Sequence, residues 1–276
     1  MRSTAPPPDE LLQIAVEVAG DAAATAHRMR AAGVTGVTTK STATDVVTAA
    51  DRAVERQAVS ALRRIRPGDR ILGEEYGADH DDGAVLDAGS AVRWILDPID
   101  GTVNYLYGIP QWAVSLAAEV DGVVVAGVVR NGATGDEWTA TLGGGAHRDG
   151  RRITGSTEND LGQVLVATGF GYDPDRRAHQ ARVLTGLLTR VRDIRRFGAA
   201  SLDLCLAAEG TVDAYFEKGL NAWDHAAGGL IAAEAGLLVR GLSGAPAGPD
   251  LVVAAAPGIF GVLHDLLVEL DAAGGP

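Results

Sequence analysis

From Trp112 to Gly150 the chain reads as consecutive β-hairpins, and this pattern restricts the possible folds more than any other feature. The runs Val114 to Val120 and Val123 to Val129 flank Asp121-Gly122, and Glu137 to Thr141 follows turns at Asn131-Gly132 and Thr134-Gly135. A further turn falls at Asp149-Gly150. Asp-Gly and Asn-Gly pairs accept the positive φ angles that tight hairpins need. Such a meander predicts an antiparallel sheet that helices must cover. Two helical patterns precede it. Glu10 to Ala32, ended by Gly33, carries the stripe Leu11, Leu12, Ala15, Val18, Ala19 and Ala22. Asp45 to Arg66, stopped by Pro67-Gly68, carries Val47, Ala50, Val54, Ala58, Ala61, Leu62 and Ile65. Short strands are expected at Arg70 to Gly73 and Val92 to Asp97, separated by a polar loop, Gly77 to Ser90, whose acidic run Asp79-His80-Asp81-Asp82 reads as solvated.

The second half alternates strands and helices. Strands are expected at Val164 to Thr168, Asp193 to Arg196, Ala214 to Glu217 and Leu251 to Ala255. Helices are expected at Asp175 to Thr189, at Ser201 to Glu209 before Gly210, and at Asp224 to Ala235 before Gly236. The fold class is therefore α+β, with an N-terminal antiparallel sheet and a C-terminal mixed sheet. The expected boundary lies near Gly155, dividing the chain into 1–154 and 155–276.

Composition narrows the function. Of 276 residues, 46% are apolar and 22% charged, a profile of soluble globular proteins. The single Cys205 allows no intrachain disulfide and no thiolate metal framework, which suits a reducing compartment. Met1 to Asp9 is Pro-rich and polar, unlike a signal peptide. The apolar stretch Leu251 to Leu263, broken by Pro257 and Gly258, is too short to span a bilayer, so a cytoplasmic protein without membrane attachment is expected. The formal net charge of -12 argues against sequence-independent nucleic-acid binding. It remains compatible with a phosphorylated small molecule if carboxylates hold divalent cations, because the ions reverse the local field.

The chemistry concentrates in Asp97-Pro98-Ile99-Asp100-Gly101-Thr102, which ends an apolar strand. Pro98 fixes φ and removes an N–H, holding one backbone shape. Asp97 and Asp100, three apart across the expected turn, can converge on one cation, with the Ile99 carbonyl as a further oxygen. Gly101 permits close backbone approach, and a helix starting near Thr102 would aim free N–H groups at an anion. An all-oxygen set selects Mg²⁺ or Mn²⁺ over Zn²⁺. Other acidic elements are ambiguous by themselves. Asp51 points along the apolar stripe of its helix and needs a partner there, or is a capping residue. Glu74 and Glu75 end a strand and face opposite sides, so at most one joins a shared site. Asp224 opens an apolar helix, where an N-cap is the ordinary reading. Cys205 reads as core.

These motifs together closely resemble the inositol monophosphatase family of metal-dependent, lithium-sensitive phosphatases, and its bacterial SuhB-like branch in particular. The resemblance is carried by Gly-Glu-Glu at 73–75, Trp-Ile-Leu-Asp-Pro-Ile-Asp-Gly-Thr-Val-Asn at 94–104 and Trp-Asp-His-Ala-Ala-Gly at 223–228. Asp-Val-Val-Thr-Ala-Ala-Asp at 45–51, Thr-Gly-Phe-Gly-Tyr at 168–172 and Asp-Ala-Tyr-Phe-Glu at 213–217 add to it, and the match runs on to Ala-Ala-Ala-Pro at 254–257. It implies a layered α-β-α-β-α sandwich assembled as a homodimer. It implies that Glu74, Asp97 and the Ile99 carbonyl hold one Mg²⁺, that Asp97, Asp100 and Asp224 hold a second, and that a third, weaker ion sits near Glu74. Mn²⁺ would substitute and Li⁺ would inhibit. Gly101 and Thr102 would bind phosphate. Thr102, polarised by Asp51, and Glu74 would orient and deprotonate the attacking water. Asp100, Ala200, Glu217 and Asp224 would contact the substrate. The substrate end departs from the family pattern at Ala199 and at Asn221-Ala222. These departures weigh against a strict choice of inositol 1-phosphate. The acidic Glu217, however, suits a polyhydroxylated or cationic leaving group and disfavours a second phosphate. Inositol 1-phosphate is therefore ranked ahead of histidinol phosphate and fructose 1,6-bisphosphate, with a non-catalytic interaction protein on the same fold as the reading from another class.

Overall fold

The computed structural model describes residues 5–42, 44–77 and 91–276, so the acidic run at 79–82 lies outside the described residues. Helix α1 (Pro8–Ala31) starts on a proline, carries Asp9 and Glu10 in its first turn and Arg28 and Arg30 in its last, and is followed by Gly33 at φ 102°. Each of these choices favours a helix at that end. A small hairpin, β1 (Thr38–Thr39) with β2 (Val46–Val47), precedes α2 (Ala49–Ile65). The second helix thus begins at Ala49 rather than Asp45. The Asp45 carboxylate instead accepts hydrogen bonds from the Ser41 N–H and hydroxyl across the hairpin, and Thr48 with Asp51 forms a capping box.

Strands β3 (Arg70–Gly73) and β4 (Val92–Asp100), the short helix α3 (Thr102–Tyr107), then β5 (Ala113–Val120), β6 (Val123–Asn131), β7 (Glu137–Thr141), β8 (Gly145–Arg148) and β9 (Arg151–Arg152) complete the first half. The seven strands form one sheet in sequence order. All neighbours are antiparallel except β3, which joins β4 in parallel. The long connection after Gly73 permits the crossover that a parallel pair requires.

The second half holds β10 (Leu165–Thr168), α4 (Pro174–Leu187), β11 (Asp193–Arg195), α5 (Ala200–Ala208), β12 (Ala214–Glu217), α6 (Ala222–Glu234), β13 (Leu238–Arg240), β14 (Val252–Ala255) and α7 (Pro257–Glu269). Its five-stranded sheet runs β11-β10-β12-β14-β13, parallel at β11-β10-β12 and antiparallel elsewhere. Strand β13 and helix α7 escape a reading of breakers. Pro257 stands at the first position of α7, where its missing N–H has no intrahelical partner to lose, so it starts a helix instead of breaking a run.

The first sheet is buried on both faces. Leu96, Val114, Leu116, Ala118, Ala126 and Val128 pack with α1 and α2, whereas Ile95, Ala113, Ala117 and Val129 join the core that contains α5, α6 and the second sheet. Helices α4 and α7 pack together on the remaining side of the second sheet, giving the order α-β-α-β-α. Cys205 lies fully inside this core. No helix of the described residues is long and apolar enough to cross a membrane.

The join between α6 and the first sheet depends on Gly127. A Cβ built there would stand 3.0 Å from the Ala227 Cα and 3.3 Å from its carbonyl oxygen, so strand and helix backbones nearly touch. Valine suits strands by propensity, but overpacking here should dominate. Gly127→Val is expected to destabilise the fold by about 2–3 kcal/mol, read as a lower urea midpoint with unchanged slope. A neutral or stabilising result would mean that the layers are not in close contact.

Candidate active site

Strand β4 does not stop at Asp97. It continues through Pro98 to Asp100, and its register against β5 slips between Asp97, opposite Ser115, and Asp100, opposite Ala113. Three steps on one strand thus oppose two on the other, a β-bulge in place of the expected turn. The difference matters because residues three apart on a regular strand face opposite sides. The extra residue returns Asp100 to the side of Asp97. Pro98 costs little there, since a bulge already interrupts the ladder. The Ile99 N–H is turned onto Asp97 Oδ1 at 3.0 Å.

Gly101 follows at φ 87°, and a Cβ there would come 2.8 Å from the Gln111 carbonyl oxygen, so both conformation and space require glycine. Helix α3 then starts at Thr102, as expected. The Thr102 hydroxyl is 3.0 Å from both Asp51 Oδ1 and the Ile99 carbonyl oxygen. Asp51 is fully buried, and its other oxygen accepts the Thr48 N–H at 2.8 Å and hydroxyl at 2.5 Å. Thr48 is the cap and Asp51 closes its capping box while also meeting Thr102, so the capping and buried-partner readings hold together.

Helix α6 supplies Asp224. The helix begins two residues earlier than expected, with Asn221 as N-cap, and Asp224 is its third residue. There its carboxylate accepts the Asn221 N–H at 2.6 Å and is not itself the cap. Oxygens of Asp97, Asp100 and Asp224 all lie within 4.8 Å of one another. Glu74 lies within hydrogen-bonding reach of Asp97 and lines the same cleft. Of the adjacent glutamates, Glu74 therefore joins the site, while Lys40 reaches both, at 2.8 Å to Glu74 and 2.5 Å to Glu75.

The cleft measures about 520 Å³ and opens on Gly101, Thr102, Ala200 and Glu217. Its size suits a small polar molecule. Glu217 ends β12 and accepts the Tyr215 hydroxyl at 2.7 Å. Ala200 starts α5, and the following Ser201 donates its N–H (2.7 Å) and hydroxyl (2.5 Å) to Asp100 Oδ2. Ser201, Lys40 and Arg196 border this site without belonging to any acidic pattern. Asn104, in the motif but assigned no role, ties the site's halves by donating to the Gln111 and Phe197 carbonyls at 2.8 and 2.7 Å.

Electrostatically the cluster is poised against itself. Burial raises Asp97 well above the usual carboxylate range, and the negative charges of Glu74, Asp100 and Asp224 raise it further. Burial and the charges of Glu74, Asp100 and Glu217 raise Asp224 well above the usual range, against the Asn221 N–H. Asp100 is raised by burial, with Ser201 opposing. Burial pushes Glu74 to about 7 against the pull of Lys40, and pushes Glu217 to about 7 against the Tyr215 hydrogen bond and Arg196. Oxygen-only donors converging without enough cations fit a hard divalent ion, which would offset the repulsion and coordinate to carboxylates. Asp97, Asp100 and Asp224 could hold it, with Glu74 beside Asp97.

Linkage turns this into a measurable pH dependence. Glu74 and Glu217 rise from 4.5 to about 7 on folding, so the folded state binds more protons. Their contribution is present below their unfolded pKa and is lost as pH rises through about 7. Chelator-treated protein should therefore melt lower at ~pH 8 than at ~pH 5.5, and added Mg²⁺ should raise the melting temperature more at the higher pH, where the carboxylates are ionised. Equal Mg²⁺ stabilisation at both values would rule out binding by these groups.

The sequence model of the inositol monophosphatase family matches residues 8–270. An inositol-1-monophosphatase of Mycobacterium leprae is 46% identical over 93% of this chain and 92% of its own length. A Pseudomonas aeruginosa protein called Nus factor SuhB is 40% identical over 73% of this chain and 74% of its own. The structure of Mycobacterium tuberculosis SuhB superposes with a TM-score of 0.81 at 38% identity, covering 98% of this chain and all of that one. Its layers are those built above from hairpins and helix stripes. The chain belongs to the inositol monophosphatase family of metal-dependent phosphatases.

Proposed function

We propose that the chain hydrolyses inositol 1-phosphate to inositol and phosphate, using Mg²⁺ held at two to three positions by Glu74, Asp97, Asp100, Asp224 and the Ile99 carbonyl. The observation that carries this reading is the convergence of Asp97, Asp100 and Asp224, with Glu74 beside Asp97, next to the Thr102–Asp51 hydrogen bond. The relatives called inositol-1-monophosphatase support the choice of substrate.

When bound, Mg²⁺ supplies positive charge that acidifies a nucleophilic water and offsets charge on the phosphoryl group and leaving oxygen. The chain's own residues do the rest. Backbone at Gly101 and Thr102 seats the phosphate. Thr102 directs its proton toward Asp51, which leaves an oxygen lone pair to orient the attacking water. Glu74, beside Asp97 in the cleft, accepts the water's proton. Asp100, Asp224, Glu217 and the backbone at Ala200 meet the hydroxyls of the leaving alcohol. In-line attack needs no covalent phosphoenzyme, and neither Cys205, in the core, nor Ser201, bonded to Asp100, is placed as a nucleophile.

Residues 1–154 would bring most of the ligands and 155–276 would bring Asp224 and the substrate contacts. The reading includes a cytoplasmic homodimer, Mn²⁺ as substitute and Li⁺ as inhibitor. Histidinol phosphate and fructose 1,6-bisphosphate remain the alternative substrates. Glu217 disfavours a second phosphate nearby, although Arg196 in the same cleft moderates its charge. A regulatory protein on this fold is the alternative of another class, and a relative called Nus factor SuhB keeps it in view. The intact acidic cluster favours catalysis.

A phosphate-release panel with Mg²⁺ over inositol 1-phosphate, histidinol phosphate and fructose 1,6-bisphosphate should show inositol 1-phosphate preferred and lithium inhibiting. Silence across the panel with Mg²⁺ and Mn²⁺ would favour the interaction protein. Asp97→Asn should lower kcat by at least roughly 10²–10³-fold. Normal turnover by that variant at saturating Mg²⁺ would refute the assignment.

A further inference from the structure

Helix α2 carries a second fully buried carboxylate, Glu55, one turn after Asp51. Residues four apart on a helix share a face, and each of these two reaches a different part of the site. Asp51 reaches Thr102. Glu55 reaches the turn 73–77: its Oε2 accepts the Glu75 N–H at 2.9 Å and its Oε1 the Tyr76 N–H at 3.2 Å. That turn is closed on itself, Gly73 and Gly77 exchanging N–H···O bonds of 3.2 and 3.1 Å, and the Glu74 N–H is held by the Leu96 carbonyl at 3.2 Å. Arg56, the next residue of α2, donates to the Tyr76 hydroxyl at 2.6 Å. Space for the Glu55 carboxylate exists because residue 73 is glycine. A Cβ there would stand 2.0 Å from Glu55 Oε1.

We propose that Glu55 is a positioning residue for Glu74: its carboxylate anchors the backbone immediately after Glu74, so that one rigid helix sets the distance between Glu74 and the Asp51–Thr102 pair. This rests on the reading above in which Glu74 binds metal and takes the proton of the attacking water. The carboxylate offers one oxygen to each of the two N–H groups, so a single side chain fixes two successive backbone donors. Leu96 anchors the N–H of Glu74 itself and Glu55 the two that follow, leaving its backbone little freedom. Gly73 is then required by the carboxylate packed against it.

The test uses the full chain with Mg²⁺ and inositol 1-phosphate. Glu55→Gln keeps the shape but has only one acceptor, and it turns an NH₂ group toward one of the two N–H donors. It is expected to remain folded by circular dichroism, to bind Mg²⁺ about 10-fold more weakly by calorimetry, and to lose about 10-fold in kcat with KM changed less than about 2-fold. Amide exchange at Glu75 and Tyr76 should accelerate in the metal-free variant. Gly73→Ala displaces the same carboxylate without altering it chemically and should reproduce the loss of Mg²⁺ affinity. In the double variant the two losses should fall short of additive, because both act through one contact. Wild-type Mg²⁺ affinity and kcat in Glu55→Gln would overturn the proposal, as would a loss of stability alone with both preserved. If Glu55→Gln does not fold, Gly73→Ala decides: wild-type Mg²⁺ binding by that variant overturns it. Glu74→Gln, run alongside, separates the two claims. If it is impaired while Glu55→Gln is not, the positioning role alone falls. If Glu74→Gln binds Mg²⁺ and turns over normally, the metal-ligand reading falls and the positioning role with it.

Discussion

Mutual repulsion among Glu74, Asp97, Asp100 and Asp224 is the constraint around which the rest of this structure is arranged. Three of these groups bring oxygens within 4.8 Å of one another, and the fourth lies within hydrogen-bonding reach of Asp97. A protein interior does not hold such a cluster ionised without a counter-charge. The chain answers with neutral donors more than with cations. Ser201 donates twice to Asp100, the Asn221 N–H bonds Asp224, and the Ile99 N–H bonds Asp97. Among the described residues, Lys40 is a cation bonded to the cluster, reaching Glu74 from the β1–β2 hairpin. Donors of this kind orient carboxylates without neutralising them, which keeps the charge available for a divalent ion.

Holding like charges together requires stiff supports, and the layers provide them. Strand β4 is central enough to be buried on both faces, so its bulge is fixed by packing above and below. Helix α6 presses against the first sheet with almost no gap at Gly127, which sets Asp224 relative to β4. Helix α2 approaches from the opposite side with Asp51 and Glu55 on one face. The site is therefore assembled from elements that each bury an apolar face of their own. Its geometry is inherited from the core and does not depend on the carboxylates attracting one another.

Much of this was legible beforehand. The hairpins after Trp112, the stripes of α1 and α2 and the alternation after Gly155 announced the two sheets, because turn residues and apolar periodicity act locally. Failures occurred where a residue's local meaning depends on position. Pro257 and Gly258 read as breakers but open α7. Asp224 read as an N-cap but is the third residue of α6. Asp97 to Asp100 read as a turn, although the strand continues through a bulge, and a register slip is a property of two strands and not of one. Ser201, Lys40 and Arg196 border the site from unpatterned positions, so nothing in the sequence singled them out.

By itself, the sequence determined which residue types stand at each strand end and helix start, and hence a hard-cation chemistry and the family. Those follow from short-range pattern and from motifs that survive without any knowledge of contacts. The family resemblance had already chosen Glu74 and paired Thr102 with Asp51; only the tertiary structure decided that a bulge puts Asp97 and Asp100 on one side and that Glu55 grips the turn after Glu74. Each of these joins residues distant along the chain or set by strand register. Such pairings are fixed by how layers pack and not by the order of residues in any one segment.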